Sequence, residues 1–344
     1  MNINSLLRRF GKSISDQTDI TGTAKPSFLF PFMARVGSRL LNEDPEKIVY
    51  RRKAHFLHFS PLIRWAAPRM MSFRQTIETP LPDLPNQPVI WCANHSFKDD
   101  VAATVGVARP SYIFFGSLPI FFNTFDGFGV WLNGTVLCNR KLSESRHRAF
   151  RFASKVLESG SDLILFPEGV WNKAPEKLLL HLWPGAVRLA QEQNVQLVPI
   201  VHYLSDPHKR YKGNVIHTAV GEPICVTGLS EAEGIRMLRD TMATLYYDLM
   251  DRYGHTTRSE LLGSLSSDEA WEEYLKIHTG LKYYDETIEA SADYRDKSII
   301  MPAQVWKGIA EIEHYHGGNV NHVLYARSVM KQEQRRDFQR RHWR

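Results

Sequence analysis

The stretch Val89-Ile90-Trp91-Cys92-Ala93-Asn94-His95-Ser96-Phe97-Lys98-Asp99-Asp100 decides how this chain is read. Five apolar residues in a row predict a buried strand, and the polar residues after them predict a turn into a helix. His95 is the side chain best suited to moving protons near neutral pH. A carboxylate beside it, here Asp100, fixes its tautomer and stabilises its charged form. On one regular helix, residues five apart point about 140° away from each other. The pair therefore works only with His95 in the turn after the strand and Asp100 in the first turn of the following helix. Ser96 is the expected N-cap, and Asp99 and Asp100 fall where the positive end of a helix favours carboxylates.

Outward from this stretch, strand-like and helix-like segments alternate from Val89 to about Arg252. Strands are predicted at Val89–Ala93, Tyr112–Gly116, Thr135–Cys138, Asp162–Phe166, Gln196–Val201 and Val215–Val220. Helices are predicted at Lys98–Val107, Ser145–Glu158, Pro184–Gln193 and Glu231–Tyr253. Continuous apolar strands such as Leu163-Ile164-Leu165-Phe166 are typical of sheets covered on both faces. The pattern predicts an α/β domain with a largely parallel central sheet flanked by helices, whose ligands sit beyond the carboxyl ends of the strands.

The domain so read spans 89–253. Before it, 1–88 carries apolar patches with arginines, such as Phe28-Leu29-Phe30-Pro31-Phe32-Met33 and His55-Phe56-Leu57-His58-Phe59, then Leu62, Ile63, Arg64, Trp65, Arg69, Met70 and Met71. Such a mixture suits a helix lying in a membrane interface, and equally an amphipathic helix packed on a core. A proline-rich linker, Thr79 to Pro88, closes it. After it, 254–344 reads as a polar, helical C-terminal extension ending in a basic run that includes Arg335, Arg336, Arg340, Arg341 and Arg344.

With 344 residues and 43% hydrophobic content the chain can fill a sizeable core. Cys92, Cys138 and Cys225 show no metal-ligand spacing and leave an odd thiol. With no secretory signal peptide at the start, a reducing cytoplasmic setting is expected. A net charge of +6 suits an anionic partner. No aromatic-interleaved reader accompanies the basic tail, so acidic lipid headgroups are preferred over nucleic acid. The longest apolar region, Ser111 to Gly134, is broken by Pro119, Asn123, Asp126 and glycines, so no transmembrane helix is expected.

Three further motifs lie near predicted strand ends. Gly134-Thr135-Val136-Leu137-Cys138-Asn139-Arg140 leads to a guanidinium that could hold a phosphate, or pair with a carboxylate at a sheet edge. Phe166-Pro167-Glu168-Gly169 combines a glycine able to turn tightly with a carboxylate at the sheet's mouth. Val198-Pro199-Ile200 is weak by itself. Glu311, Glu313, His314, His316 and His322 have the chemistry of a zinc site, but His-x-His runs beside glycines are more often exposed loops. His55 and His58 read as packed or interfacial rather than as ligands. The aromatic stretch Phe114–Trp131 suits an acyl-chain groove and ordinary core packing alike. No G-x-S-x-G elbow is present.

The order of these blocks resembles the glycerolipid acyltransferase family, whose members carry N-H-x4-D, then G-x5-R, then F-P-E-G, then a V-P-I-like block. The resemblance covers roughly Val89 to Tyr253. It implies O-acyl transfer from acyl-coenzyme A or acyl carrier protein to a hydroxyl of a lysophospholipid, 1-acylglycerol 3-phosphate first among them, in phospholipid biosynthesis. It implies His95 as general base and Asp100 as its orienting partner. Arg140 would contact the acceptor's phosphate, and Gly134, Glu168, Gly169 and Lys173 would complete the acceptor side. No metal or other cofactor is implied, since a thiolate leaves readily and His95 can return the proton. The backbone amides around Ser96 and Phe97 are the positional candidates for an oxyanion donor. The enzyme would sit peripherally on the cytoplasmic face of a membrane.

One departure bears on the acceptor. Family members often follow F-P-E-G with threonine and a basic residue that helps bind phosphate. Here Val170, Trp171 and Asn172 follow, with Lys173 beyond them, and Leu137 and Cys138 stand where the family prefers phenylalanine and isoleucine. A neutral indole cannot replace a cation at a phosphate. Either Lys173 or Lys177 compensates, or the acceptor is not phosphatidate-like, or the fold serves as a non-catalytic membrane-surface module.

Overall fold

A computed structural model describes residues 29–70, 74–140, 142–172, 178–204 and 214–254, with a few isolated positions up to 278. Lys173, Lys177, the His55 side chain, the C-terminal histidine cluster and the basic tail lie outside the described residues. The chain divides into two compact units, one from residues up to 67 together with 105–165, the other from 68–104 together with 166 onward.

The first unit opens with helices α1 (Phe30–Asn42) and α2 (Pro45–Met70), the last turn of α2 running past its boundary. Phe30, Met33, Ala34, Gly37 and Leu40 recur at helical spacing and form the buried stripe of α1. Three strands follow in this unit: β3 (Ser111–Phe115), β4 (Thr135–Leu137) and β5 (Asp162–Leu165). β3 lies between the other two and is parallel to both. Helices α4 (Leu118–Asn123) and α5 (Phe125–Asn133) link β3 to β4, and α6 (Ser143–Glu158) links β4 to β5. Within the aromatic stretch Phe121 and Phe122 are fully buried, whereas Phe125 is exposed.

The second unit contains β1 (Arg74–Ile77), β2 (Val89–Ala93), β6 (Gln196–Leu204) and β7 (Val215–Val220). β1 is parallel to β7 and β2 is parallel to β6, while β6 and β7 run antiparallel. Every residue of β2 is buried, which is why its sequence is an unbroken apolar run rather than an alternating one. Helix α3 (Asp100–Val107) begins in this unit; α7 (Gly185–Gln193) and α8 (Glu231–Tyr253) lie wholly within it. Ser230 and Glu233 close a reciprocal capping box on α8, satisfying backbone donors at its start. At its other end Arg252 Nη1 meets Glu78 Oε2 at 3.1 Å, and His217 Nδ1 lies 2.6 Å from Glu78 Oε1. These contacts tie α8 to β7 and the segment after β1.

The sequence therefore predicts the α/β class, the largely parallel strands and their helical flanks correctly. β1 was not among the predicted strands. Its four residues, Arg-Gln-Thr-Ile, are mostly exposed and carry little apolar signal. Among the described residues, no helix is long and apolar enough to cross a membrane.

Candidate active site

The second unit brings His95 and Asp100 together. His95 Nδ1 lies 2.7 Å from Asp100 Oδ2, with the carboxylate fully buried and the imidazole 17% exposed. The turn between them is held by the same oxygen, which accepts the Ser96 N–H at 2.9 Å and the Phe97 N–H at 3.2 Å. A carboxylate facing Nδ1 fixes the Nδ1–H tautomer and leaves Nε2 as the basic nitrogen.

Two sequence expectations are corrected here. Ser96 is not the N-cap, because α3 begins only at Asp100. The side chain that collects the free amides before the helix is Asp100 itself, reaching backward. For the same reason the Ser96 and Phe97 amides are not free to receive an oxyanion. Both already donate to Asp100.

Asn94 fastens the end of β2 to β6. Its Oδ1 accepts the His202 N–H at 2.7 Å, and its Nδ2 donates to the His202 carbonyl at 3.0 Å and to Ser96 Oγ at 3.1 Å. The side chain extends the strand ladder by one step, directly before His95.

The chain after β5 wraps this histidine. Gly169 has φ of 73°, a conformation that side-chain-bearing residues avoid, and its N–H closes the turn on the Phe166 carbonyl at 3.0 Å. The turn lays the Phe166 ring 4.6 Å and the Trp171 ring 5.2 Å from the His95 ring, centre to centre. The Asn172 N–H donates to the His95 carbonyl at 2.5 Å. Glu168 is buried, and its two oxygens accept the N–H groups of His95 at 2.9 Å and Leu180 at 2.7 Å. Burial pushes its carboxyl up to about 7, against the opposing pull of those two amides.

Beneath the site lies a polar network that sequence reading missed. His202 is fully buried, with Nε2 2.8 Å from Thr104 Oγ1 and Nδ1 2.9 Å from Thr218 Oγ1. Gln75 Nε2 donates to Thr218 Oγ1 at 2.9 Å and to the Ala103 carbonyl at 3.1 Å. Burial lowers His202 to about 3. These residues lie on separate strands and a helix, and no spacing in the sequence connects them.

Gly134 and Arg140 belong to the first unit. Gly134 has φ of 109°, and a Cβ there would meet the Phe56 ring at 2.9 Å. Backbone shape and close packing thus account for this glycine. Arg140 runs its stem along Gly116, and its carbonyl accepts from Arg146 Nη1 at 2.6 Å.

Comparison with known proteins agrees with the motif order. Residues 72–203 match the family model described as Acyltransferase, which contains the whole His95–Glu168 site. Over these residues the chain is similar to the acyltransferases that this model describes. A 1-acyl-sn-glycerol-3-phosphate acyltransferase of Chlamydomonas reinhardtii is 27% identical over 116 residues. That match covers 34% of this chain and 34% of the relative, so the chain spans about a third of the relative's length. Among solved structures, the 1-acyl-sn-glycerophosphate (LPA) acyltransferase PlsC of Thermotoga maritima aligns with a TM-score of 0.49 and 16% identity, over 66% of this chain and 96% of that one.

Proposed function

We propose that this protein is an O-acyltransferase that moves a fatty acyl group from a thioester, acyl-coenzyme A or acyl carrier protein, to a hydroxyl of a lysophospholipid. The carrying observation is the 2.7 Å contact between His95 Nδ1 and Asp100 Oδ2, with the imidazole partly open and the carboxylate buried. Nε2 takes the proton of the acceptor hydroxyl as its oxygen bonds to the thioester carbon. The tetrahedral intermediate collapses, the C–S bond breaks, and the imidazolium returns the proton to the departing thiolate. Asp100 stabilises the transient imidazolium. Glu168 keeps the His95 backbone in place, so that the base is presented from a rigid turn.

The first-choice acceptor is 1-acylglycerol 3-phosphate, which is what the algal relative's name specifies for that protein. Arg140 and Lys173 are the cations proposed for its phosphate. The neutral Trp171 beside the base favours a second reading, in which the acceptor is a lipid alcohol without a phosphate. For docking on an anionic membrane surface, the support is the outward side of α2, where Leu62, Trp65 and Met70 are exposed. The deciding experiment is an acceptor screen with one labelled acyl thioester. Transfer to a lyso-acceptor, abolished in a folded His95→Ala variant, is expected; full activity in that variant rejects the proposed base.

A further inference from the structure

The residues assigned above leave one component of acyl transfer unassigned, a donor for the oxygen that becomes negative when the thioester carbon turns tetrahedral. Five backbone amides around the base are committed elsewhere. Those of Ser96 and Phe97 donate to Asp100, that of His95 to Glu168, that of Gly169 to Phe166 and that of Asn172 to His95. One side-chain donor is not committed. Trp171 is 7% exposed, and its Nε1–H is buried with no hydrogen-bond partner among the described residues. A buried donor left unpaired forgoes the hydrogen bond that water would give it, so the arrangement is unfavourable in the resting protein.

Its position suits the unassigned role. The indole centre lies 5.2 Å from the imidazole centre, with the rings inclined at 43°. An acceptor oxygen hydrogen-bonded to Nε2 stands about 3 Å from the carbon it attacks, and that carbon's oxygen needs a donor roughly 3 Å further on. Hydrogen bonds on both sides of the chain turn keep the ring in place, the Asn172 N–H on the His95 carbonyl and the Trp183 N–H on the Pro167 carbonyl at 2.8 Å.

We infer that the Trp171 indole N–H is the oxyanion donor of this acyltransferase, binding the thioester carbonyl oxygen as it becomes negative. The inference rests on the function proposed above. As the acceptor O–C bond forms, the carbonyl π pair moves onto that oxygen and the N–H holds it. When the pair returns, the C–S bond breaks and the thiolate leaves with the proton carried by His95. A neutral indole has no quarrel with this task, because a developing oxyanion needs a directed donor in a water-poor site rather than a full positive charge. The role belongs to the acyl donor, so it is the same whichever alcohol attacks.

The test uses the full chain with oleoyl-coenzyme A and, as acceptors, 1-oleoylglycerol 3-phosphate and phosphate-free 1-oleoylglycerol. Trp171→Phe removes the N–H together with part of the ring. Replacing Trp171 by β-(3-benzothienyl)alanine keeps the bicyclic shape and puts sulfur in place of N–H, which covers the case of a phenylalanine variant that misfolds. Each is expected to lower kcat by about 10²–10³-fold, with KM for the thioester nearly unchanged and the same factor for every acceptor the wild type uses. A benzothienyl variant with wild-type kcat overturns the inference and leaves the acyltransferase reading intact. So does a loss confined to KM or to the phosphate-bearing acceptor. A wild-type protein that transfers to neither these nor other lyso-acceptors overturns both.

Discussion

His202 Nε2 donates to Thr104 Oγ1 at 2.8 Å, and the direction of that bond is fixed by the threonine, whose own proton goes to the Asp100 carbonyl at 2.7 Å. His202 is therefore the Nε2–H tautomer, and its Nδ1 accepts from Thr218. With both ring nitrogens engaged and no solvent contact, protonation would strand a charge in the core. Burial accordingly lowers its pKa from 6.5 to about 3. Because the unfolded chain binds this proton more readily, His202 favours folding above pH 6.5 and loses that contribution as pH falls toward 3. The slope is about 1.4 kcal/mol per pH unit within that window. His202→Gln should remove this slope from the profile and leave the opposing one of Glu168 uncompensated, as read by denaturant unfolding between pH 7 and pH 4.5. An unchanged acid dependence in the variant would show that this histidine is not the group concerned.

Glu168 titrates in the opposite sense. Its folded value, about 7, stands above its ordinary 4.5, so the folded protein binds the proton more readily. Its contribution is fully present below pH 4.5 and disappears as pH rises through 7. Between 4.5 and 6.5 the two slopes have opposite signs and similar size, so together these groups leave stability nearly flat. Glu168→Gln should expose the His202 slope, stability then falling toward acid. His202→Gln should expose the Glu168 slope, stability then rising toward acid, and the double variant should restore the flat profile. Parallel profiles for the two single variants would rule out this compensation.

These two residues also show where sequence reading succeeds and where it stops. His95, Asp100 and Glu168 were legible because short-range rules place them. A buried apolar strand must end in a turn, a helix N-terminus favours a carboxylate, and a glycine after Glu168 permits the tight bend now seen at φ of 73°. What Glu168 touches was not legible. As a strand-end carboxylate it reads as part of an acceptor pocket, yet both its oxygens hold backbone amides, one of them 73 positions away. His202, Thr104, Thr218 and Gln75 gave no signal at all, since their partnership exists only through strand pairing and the start of α3. The Ser96 cap failed for a related reason. Local propensity favoured serine, but the buried carboxylate of Asp100 reached back to the Ser96 and Phe97 amides and the helix started later.

Asp100→Asn separates geometry from chemistry. Asparagine can still accept the Ser96 and Phe97 amides through its oxygen, so the turn should survive. The same oxygen faces His95 Nδ1, so it can keep accepting the Nδ1–H, and what the variant loses is the negative charge. The imidazolium formed when His95 takes the hydroxyl proton then has no carboxylate to stabilise it. A drop in kcat of about 10²–10³-fold with an unaltered circular dichroism spectrum is expected. Activity within tenfold of the wild type would mean that the charge of Asp100 does not support the base in the reaction.

Arg140 decides between the two acceptors. If the acceptor carries a phosphate and Arg140 binds it, the lost interaction is a charge-assisted hydrogen bond, on the order of 1.5–3 kcal/mol. Arg140→Ala should then raise KM for 1-acylglycerol 3-phosphate by about 10- to 100-fold, while transfer to a phosphate-free monoacylglycerol changes little. Arg140→Lys should recover only part of the loss, because an ammonium group supplies charge without the planar pair of donors. A uniform effect on both acceptors would assign the side chain to local packing against Gly116, where its stem already lies. In that case the neutral Trp171 and an uninvolved Arg140 would together favour a phosphate-free alcohol as the acceptor.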